Sequence, residues 1–113
     1  MINKLSKKIK KNIKRHSLET FPNECCGIIS LVNGKHQLIK CENVARDRQN
    51  NFQISARDYL KASRQGGVKA YYHSHTDDSK GGFSEMDKKN SQGHKLPLLM
   101  YSTKEHKLFE YIP

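Results

Sequence analysis

The chain has 113 residues, 35% hydrophobic and 28% charged, with a formal net charge of +10. That length holds one domain with one modest core, and no apolar run approaches the roughly 20 residues that span a bilayer. The basic N-terminus is not followed by the continuous apolar segment of a signal peptide, so the expected location is the cytoplasm, with no membrane partner.

Ile2, Leu5, Ile9 and Ile13 recur at spacings of three and four, which predicts an amphipathic helix over residues 2–17 that stops before Phe21-Pro22. Lys4, Lys7, Lys8, Lys10, Lys11, Lys14 and Arg15 crowd the same segment. A solvated helix face is the preferred reading. Non-specific attraction to nucleic acid is the lesser one, since no aromatic residues interleave there for base stacking. Cys26 to Val32 is a continuous apolar run and predicts a buried strand. Asn33-Gly34 signals a two-residue hairpin. The returning strand runs from Lys35 to about Val44, with Gln37, Ile39 and Cys41 on one face and Leu38 and Lys40 on the other.

A polar loop over 45–51 leads to a short extended piece at Phe52 and Ile54. Ser55 then caps a helix from Ala56 to Gln65 that carries Tyr59, Leu60 and Ala62 and ends at Gly66-Gly67. A strand over Val68 to His75 follows, then a polar loop from Thr76 to Phe83, and a helix from Ser84 to about Gln92 that ends near Gly93. Leu98 to Ser102 and Lys107 to Ile112 form a last pair of strands around a turn. There is no internal repeat and no low-complexity linker. The element order predicts a single domain over 1–113 of α/β (α+β) class: a mixed β-sheet with flanking helices.

Chemistry concentrates at the end of the Val68–His75 strand. Residues two apart in a strand face the same side, so His73 and His75 project together, with Tyr72 and Ser74 opposite. Two imidazoles aimed at one point are half of a zinc site. The loop that follows delivers Asp87 as a third ligand, which leaves one position for water, the catalytic pattern. Asp77, Asp78 and Glu85 are rival carboxylates. Ser84-x-x-Asp87 also reads as a plain helix N-cap with an acidic third residue. Glu24, in Pro22-Asn23-Glu24-Cys25-Cys26-Gly27, reads alone as an exposed loop carboxylate. Ahead of a buried strand it is also placed to reach a neighbouring strand end as a general base. Three cysteines, two of them adjacent, make no disulfide framework. Buried free thiols are expected, with Cys25 and Cys26 on opposite faces. A cysteine nucleophile meeting a histidine in space is a minor alternative.

Glu24 leading into a strand, then His73-x-His75, then Ser84-x-x-Asp87 after a loop is a set that resembles the JAMM (MPN-plus) zinc metalloprotease family. The likeness covers nearly the whole chain and is most similar to the minimal prokaryotic and phage members. These include the metalloprotease-like half of phage tail-tip assembly proteins, where a cysteine peptidase domain often follows; none is evident here. The resemblance implies a JAMM/MPN (cytidine-deaminase-like) fold and a zinc-dependent peptidase or isopeptidase. It implies His73, His75 and Asp87 as zinc ligands, Glu24 as general base and Ser84 as oxyanion donor. Its substrate would be a peptide or protein with an extended tail, such as a ubiquitin-like tail, a cell-wall peptide or a phage tail protein, the last implying a virion-associated location. The chain departs from the family at Thr76 and Phe83, where proline is usual, and in a loop one residue longer than usual. Two other functions compete: a non-catalytic MPN-like scaffold, and a basic nucleic-acid-binding module.

Overall fold

The computed structural model describes residues 1–76 and 82–113. One five-stranded sheet carries the fold, in the order β2-β1-β3-β4-β5. Its strands are β1 (Cys26–Val32), β2 (Lys35–Cys41), β3 (Gly67–His75), β4 (Leu98–Ser102) and β5 (Lys107–Tyr111). The helices are α1 (Lys7–Thr20), α2 (Ala56–Gln65) and α3 (Glu85–His94). β3 lies in the middle, antiparallel to β1 and parallel to β4. A parallel pair needs a crossover, and the chain between β3 and β4, containing α3, supplies it. The architecture is the mixed α+β single sheet with flanking helices that the element order predicts.

Each face of the sheet has its own core. Leu5, Ile9 and Ile13 pack with Cys25, Ile29 and Tyr72 on the α1 side. Ala62 of α2 packs with Cys26, Ile28, Cys41 and Tyr71 on the other. Cys25 and Cys26 therefore face opposite ways, as strand alternation requires. All three cysteines are free and buried. Burial pushes their thiols up, Cys41 to about 12. An active thiol needs the opposite environment, so the cysteine-nucleophile alternative loses its basis.

Several boundaries depart from expectation, β3 and β5 by a single residue. Ile2–Lys4 is a separate 3-10 turn, because Ser6 caps a fresh helix by accepting from the Ile9 N–H at 3.2 Å. α1 then runs on to Thr20, and extended Phe21 ends it ahead of Pro22. β2 stops at Cys41, short of Val44, because β1 begins at its partner Cys26 and offers nothing beyond. Within α2 only Ala62 is buried, while Tyr59 and Leu60 are exposed. α3 runs past Gly93 and ends on Lys95 in the left-handed region. The Asn33-Gly34 turn has positive φ at both residues, 50° and 77°, as the hairpin signal demands. Lys7, Lys8, Lys11, Lys14 and Arg15 all lie exposed on α1.

Candidate metal centre

The β1–β3 ladder pairs Cys26 with His73, and Ser74 N–H donates to the Cys25 carbonyl at 3.2 Å. Carried one residue further, the register sets Glu24 beside His75. Glu24 is only 4% exposed, so the exposed-loop reading of it fails. The carboxylate of Glu24 and ring nitrogens of His73 and His75 all lie within 4.8 Å of one another.

α3 brings the second carboxylate. Asp87 Oδ2 is 3.2 Å from His75 Nε2 and 3.4 Å from His73 Nε2. The same oxygen accepts the Ser84 N–H at 3.0 Å, while Ser84 Oγ accepts the Asp87 N–H at 3.0 Å. The two readings of Ser84-x-x-Asp87 thus coincide: Asp87 closes a capping box and faces both histidines with one atom. Glu85 turns away, 84% exposed beside Lys88. Asp77 and Asp78 lie outside the described residues.

His73 tests whether a metal fits. Its ring is fully buried and stacks on Phe52, with centroids 4.5 Å apart. Its Nδ1 lies 3.1 Å from the Leu99 carbonyl. A carbonyl only accepts, so Nδ1 carries the proton and Nε2 bears a lone pair. That Nε2 has no hydrogen-bond partner, although the Asp87 carboxylate is near. Two electron-pair donors therefore face each other, buried, with no proton between them. Ligands about 2.0–2.2 Å from a common tetrahedral centre lie roughly 3.3–3.5 Å apart. The 3.2 and 3.4 Å separations here match that spacing. The second nitrogen is held by a backbone carbonyl, as metal-binding histidines usually require.

Charge follows the geometry. Burial lowers the His73 pKa and favours the neutral ring that a metal needs. Burial would raise Asp87, but the two imidazoles beside it and the Ser84 N–H hold its carboxyl well below the usual range. Glu24 is pushed up to about 8, first by burial and then by Asp87 and Asp47. That is the direction a general base working near neutrality requires. A cleft of about 310 Å³ opens over the cluster, walled by Phe52, Phe83 and Met86 with Asn50, Asn51 and Asn90 between them.

Two residues of the site carry little signal in the sequence. Phe52 was legible only as an extended piece, not as the ring against His73. Asn43, inside what reads as strand, instead leaves the sheet and binds the Glu24 carbonyl at 2.9 Å. A polar amide at a strand end was its only signal.

Residues 6–111 match the family described as prokaryotic homologs of the JAB domain. The chain is 32% identical over 85 residues to tail tip assembly protein K of Escherichia phage N15, a stretch that is 75% of this chain and 35% of that protein. It therefore spans about a third of that relative's length. Two solved structures share the fold. DSY2949 from Desulfitobacterium hafniense has a TM-score of 0.69 at 20% identity, covering 93% of this chain and 78% of its own. A protein from Salinibacter ruber has a TM-score of 0.62 at 21% identity, covering 95% and 79%. With the family matched from α1 to β5 and a histidine pair and two carboxylates gathered at the end of its central strand, the chain belongs to the prokaryotic JAB (Prok-JAB) family.

Proposed function

We propose that the chain is a zinc-dependent hydrolase of peptide or isopeptide bonds. The buried, unpartnered His73 Nε2 facing the Asp87 carboxylate carries this reading, because a scaffold has no use for that arrangement. His73, His75 and Asp87 would hold the metal. When bound, zinc supplies a Lewis acid and brings a water's pKa to about 7. Glu24 takes the proton from the attacking water and returns it to the leaving amine. Ser84 Oγ already accepts from the Asp87 N–H, and its own proton is left to donate to the carbonyl oxygen as charge develops there. The substrate class is an extended protein or peptide segment that can enter the cleft. The tail-tip relative suggests a phage tail component and a virion-associated setting, with a cell-wall peptide as the alternative substrate. Among the described residues no helix is long and apolar enough to cross a membrane.

The test starts with metal. Purified protein reloaded with zinc should hold one tightly bound ion per chain, and His75→Ala should release it. A peptide library digested by the loaded protein and read by mass spectrometry should then show cleavage that a chelator abolishes. Absence of a tight site, or a tight site with no cleavage of any peptide, would leave the scaffold reading in its place.

Ser84 separates capping from chemistry. Ser84→Ala removes the cap and should cost about 1 kcal/mol in a denaturant melt. Loss of an oxyanion donor should also lower kcat with little change in KM. Aspartate caps a helix as well as serine does, but places a negative charge where the oxyanion forms. Ser84→Asp should therefore fold with near-normal stability and be at least as inactive as Ser84→Ala. An active, stable Ser84→Asp protein would reduce Ser84 to a cap alone.

A further inference from the structure

Asn43 is 9% exposed and sits between β2 and α2, outside both. Its amide is fully engaged. Nδ2 donates to the Glu24 carbonyl at 2.9 Å and to the Asn51 carbonyl at 3.0 Å. Oδ1 accepts from the Ala45 N–H at 3.0 Å and the Gln53 N–H at 3.1 Å. One side chain thereby joins three pieces of backbone: the second and third are also paired by a bridge between Asn43 and Ile54, and the Asn43 amide adds the first to them. The first carries Glu24. The third carries Asn51 and Phe52, which wall the cleft, and Phe52 stacks on His73.

The other backbone groups near Glu24 are held as well. Its N–H donates to the Arg48 carbonyl at 2.6 Å, and the Cys25 N–H donates to Ser74 Oγ at 2.8 Å. Among the described residues Asn43 supplies the one bond to the Glu24 carbonyl, and with the Glu24 N–H on Arg48 it ties that residue to the loop that walls the cleft. Only asparagine or glutamine offers two donors and an acceptor with two lone pairs in one group, and glutamine is a methylene too long for this span.

We propose that Asn43 is a positioning residue for hydrolysis. It fixes Glu24 relative to the histidine pair and fixes the Asn51–Phe52 wall to the same amide, so base and wall keep one spacing. The proposal rests on the reading of Glu24 as general base. A displacement of about 1 Å in a reacting group can cost on the order of a hundredfold in rate, and an orphaned buried carbonyl is a force toward such a displacement.

Asn43→Asp keeps both acceptor bonds and loses both donors. Amide hydrogen exchange on this variant should be at least about tenfold faster at Glu24 and Cys25, with Ala45, α1 and β4 unchanged. Uniform acceleration across α1 and β4, or none at Glu24, would overturn the proposal. On a peptide the native protein cleaves, Asn43→Asp should lower kcat by on the order of thirtyfold to a hundredfold with zinc content unchanged. In a Glu24→Gln background the same substitution should cost less than about threefold, because its effect passes through Glu24. An equal loss in both backgrounds would overturn it. Should Asn43→Asp fail to fold, Asn43→Ser carries the same comparisons. If the native protein cleaves no peptide, the hydrolase reading fails by itself, and the exchange pattern still decides whether Asn43 anchors Glu24.

Discussion

Glu24→Gln will lower peptidase activity by on the order of a hundredfold or more and leave the zinc in place. Glutamine keeps the length and hydrogen-bonding shape of the side chain and removes only the site that accepts a proton. His73, His75 and Asp87 stand on β3 and α3, so the substitution touches none of their anchors. Activity assays and metal analysis on one preparation decide it: lost zinc or unchanged turnover would refute the assignment. The metal-free protein offers a second measurement. Glu24 has a folded pKa of about 8 against an ordinary value of 4.5, so the folded state binds its proton more tightly than the unfolded chain does. Below the ordinary pKa both states are protonated and Glu24 contributes no penalty. As pH rises through that value toward the folded one, the unfolded chain ionises first and folding stability falls. Metal-free native protein should therefore lose stability between about pH 4.5 and pH 8 relative to Glu24→Gln, as urea melts across that range will show.

Gly27→Ala should cost about 3–5 kcal/mol. Gly27 lies in β1 opposite Tyr72 of β3. A Cβ built there would overlap the Tyr72 ring itself. The ring cannot swing aside cheaply. Tyr72 is fully buried, and its hydroxyl lies 2.7 Å from His16 Nδ1 of α1. Moving it breaks that bond, orphans a buried hydroxyl and disturbs the packing of α1 on the sheet. Thermal melts should fall by roughly 10–30 °C. Tyr72→Leu, added to Gly27→Ala, should recover part of the loss by clearing the ring. A Gly27→Ala protein within about 1 kcal/mol of native would mean the strands can part at this point at little cost.

Much of the architecture could be read from local pattern. The Asn33-Gly34 turn has one good solution, and it sets the register of β1 on β2. Period-two alternation placed Cys25 and Cys26 on opposite cores and His73 beside His75. The ends of elements were less legible because they depend on partners far along the chain. β2 ends where β1 begins, and nothing in Glu42-Asn43-Val44 reveals that. Ser6 could be read as a helix start only by discounting the apolar spacing that runs through it. The histidine pair and Asp87 carry their signal in residue type and spacing. The burial of Glu24 carries none, since the residues enclosing it come from β3, from α3 and from the loop after β2.

The single oxygen Asp87 Oδ2 serves a helix terminus and two imidazoles at once. Side-chain entropy that a free aspartate would lose on meeting a cation has already been lost when α3 forms its first turn. The two events are therefore thermodynamically reciprocal. Whatever factor a cation adds to the population of an intact first turn, an intact first turn adds to cation affinity. Substitutions at an exposed α3 position that never touches the cluster, such as Lys89, thus become levers on metal affinity through helix propensity.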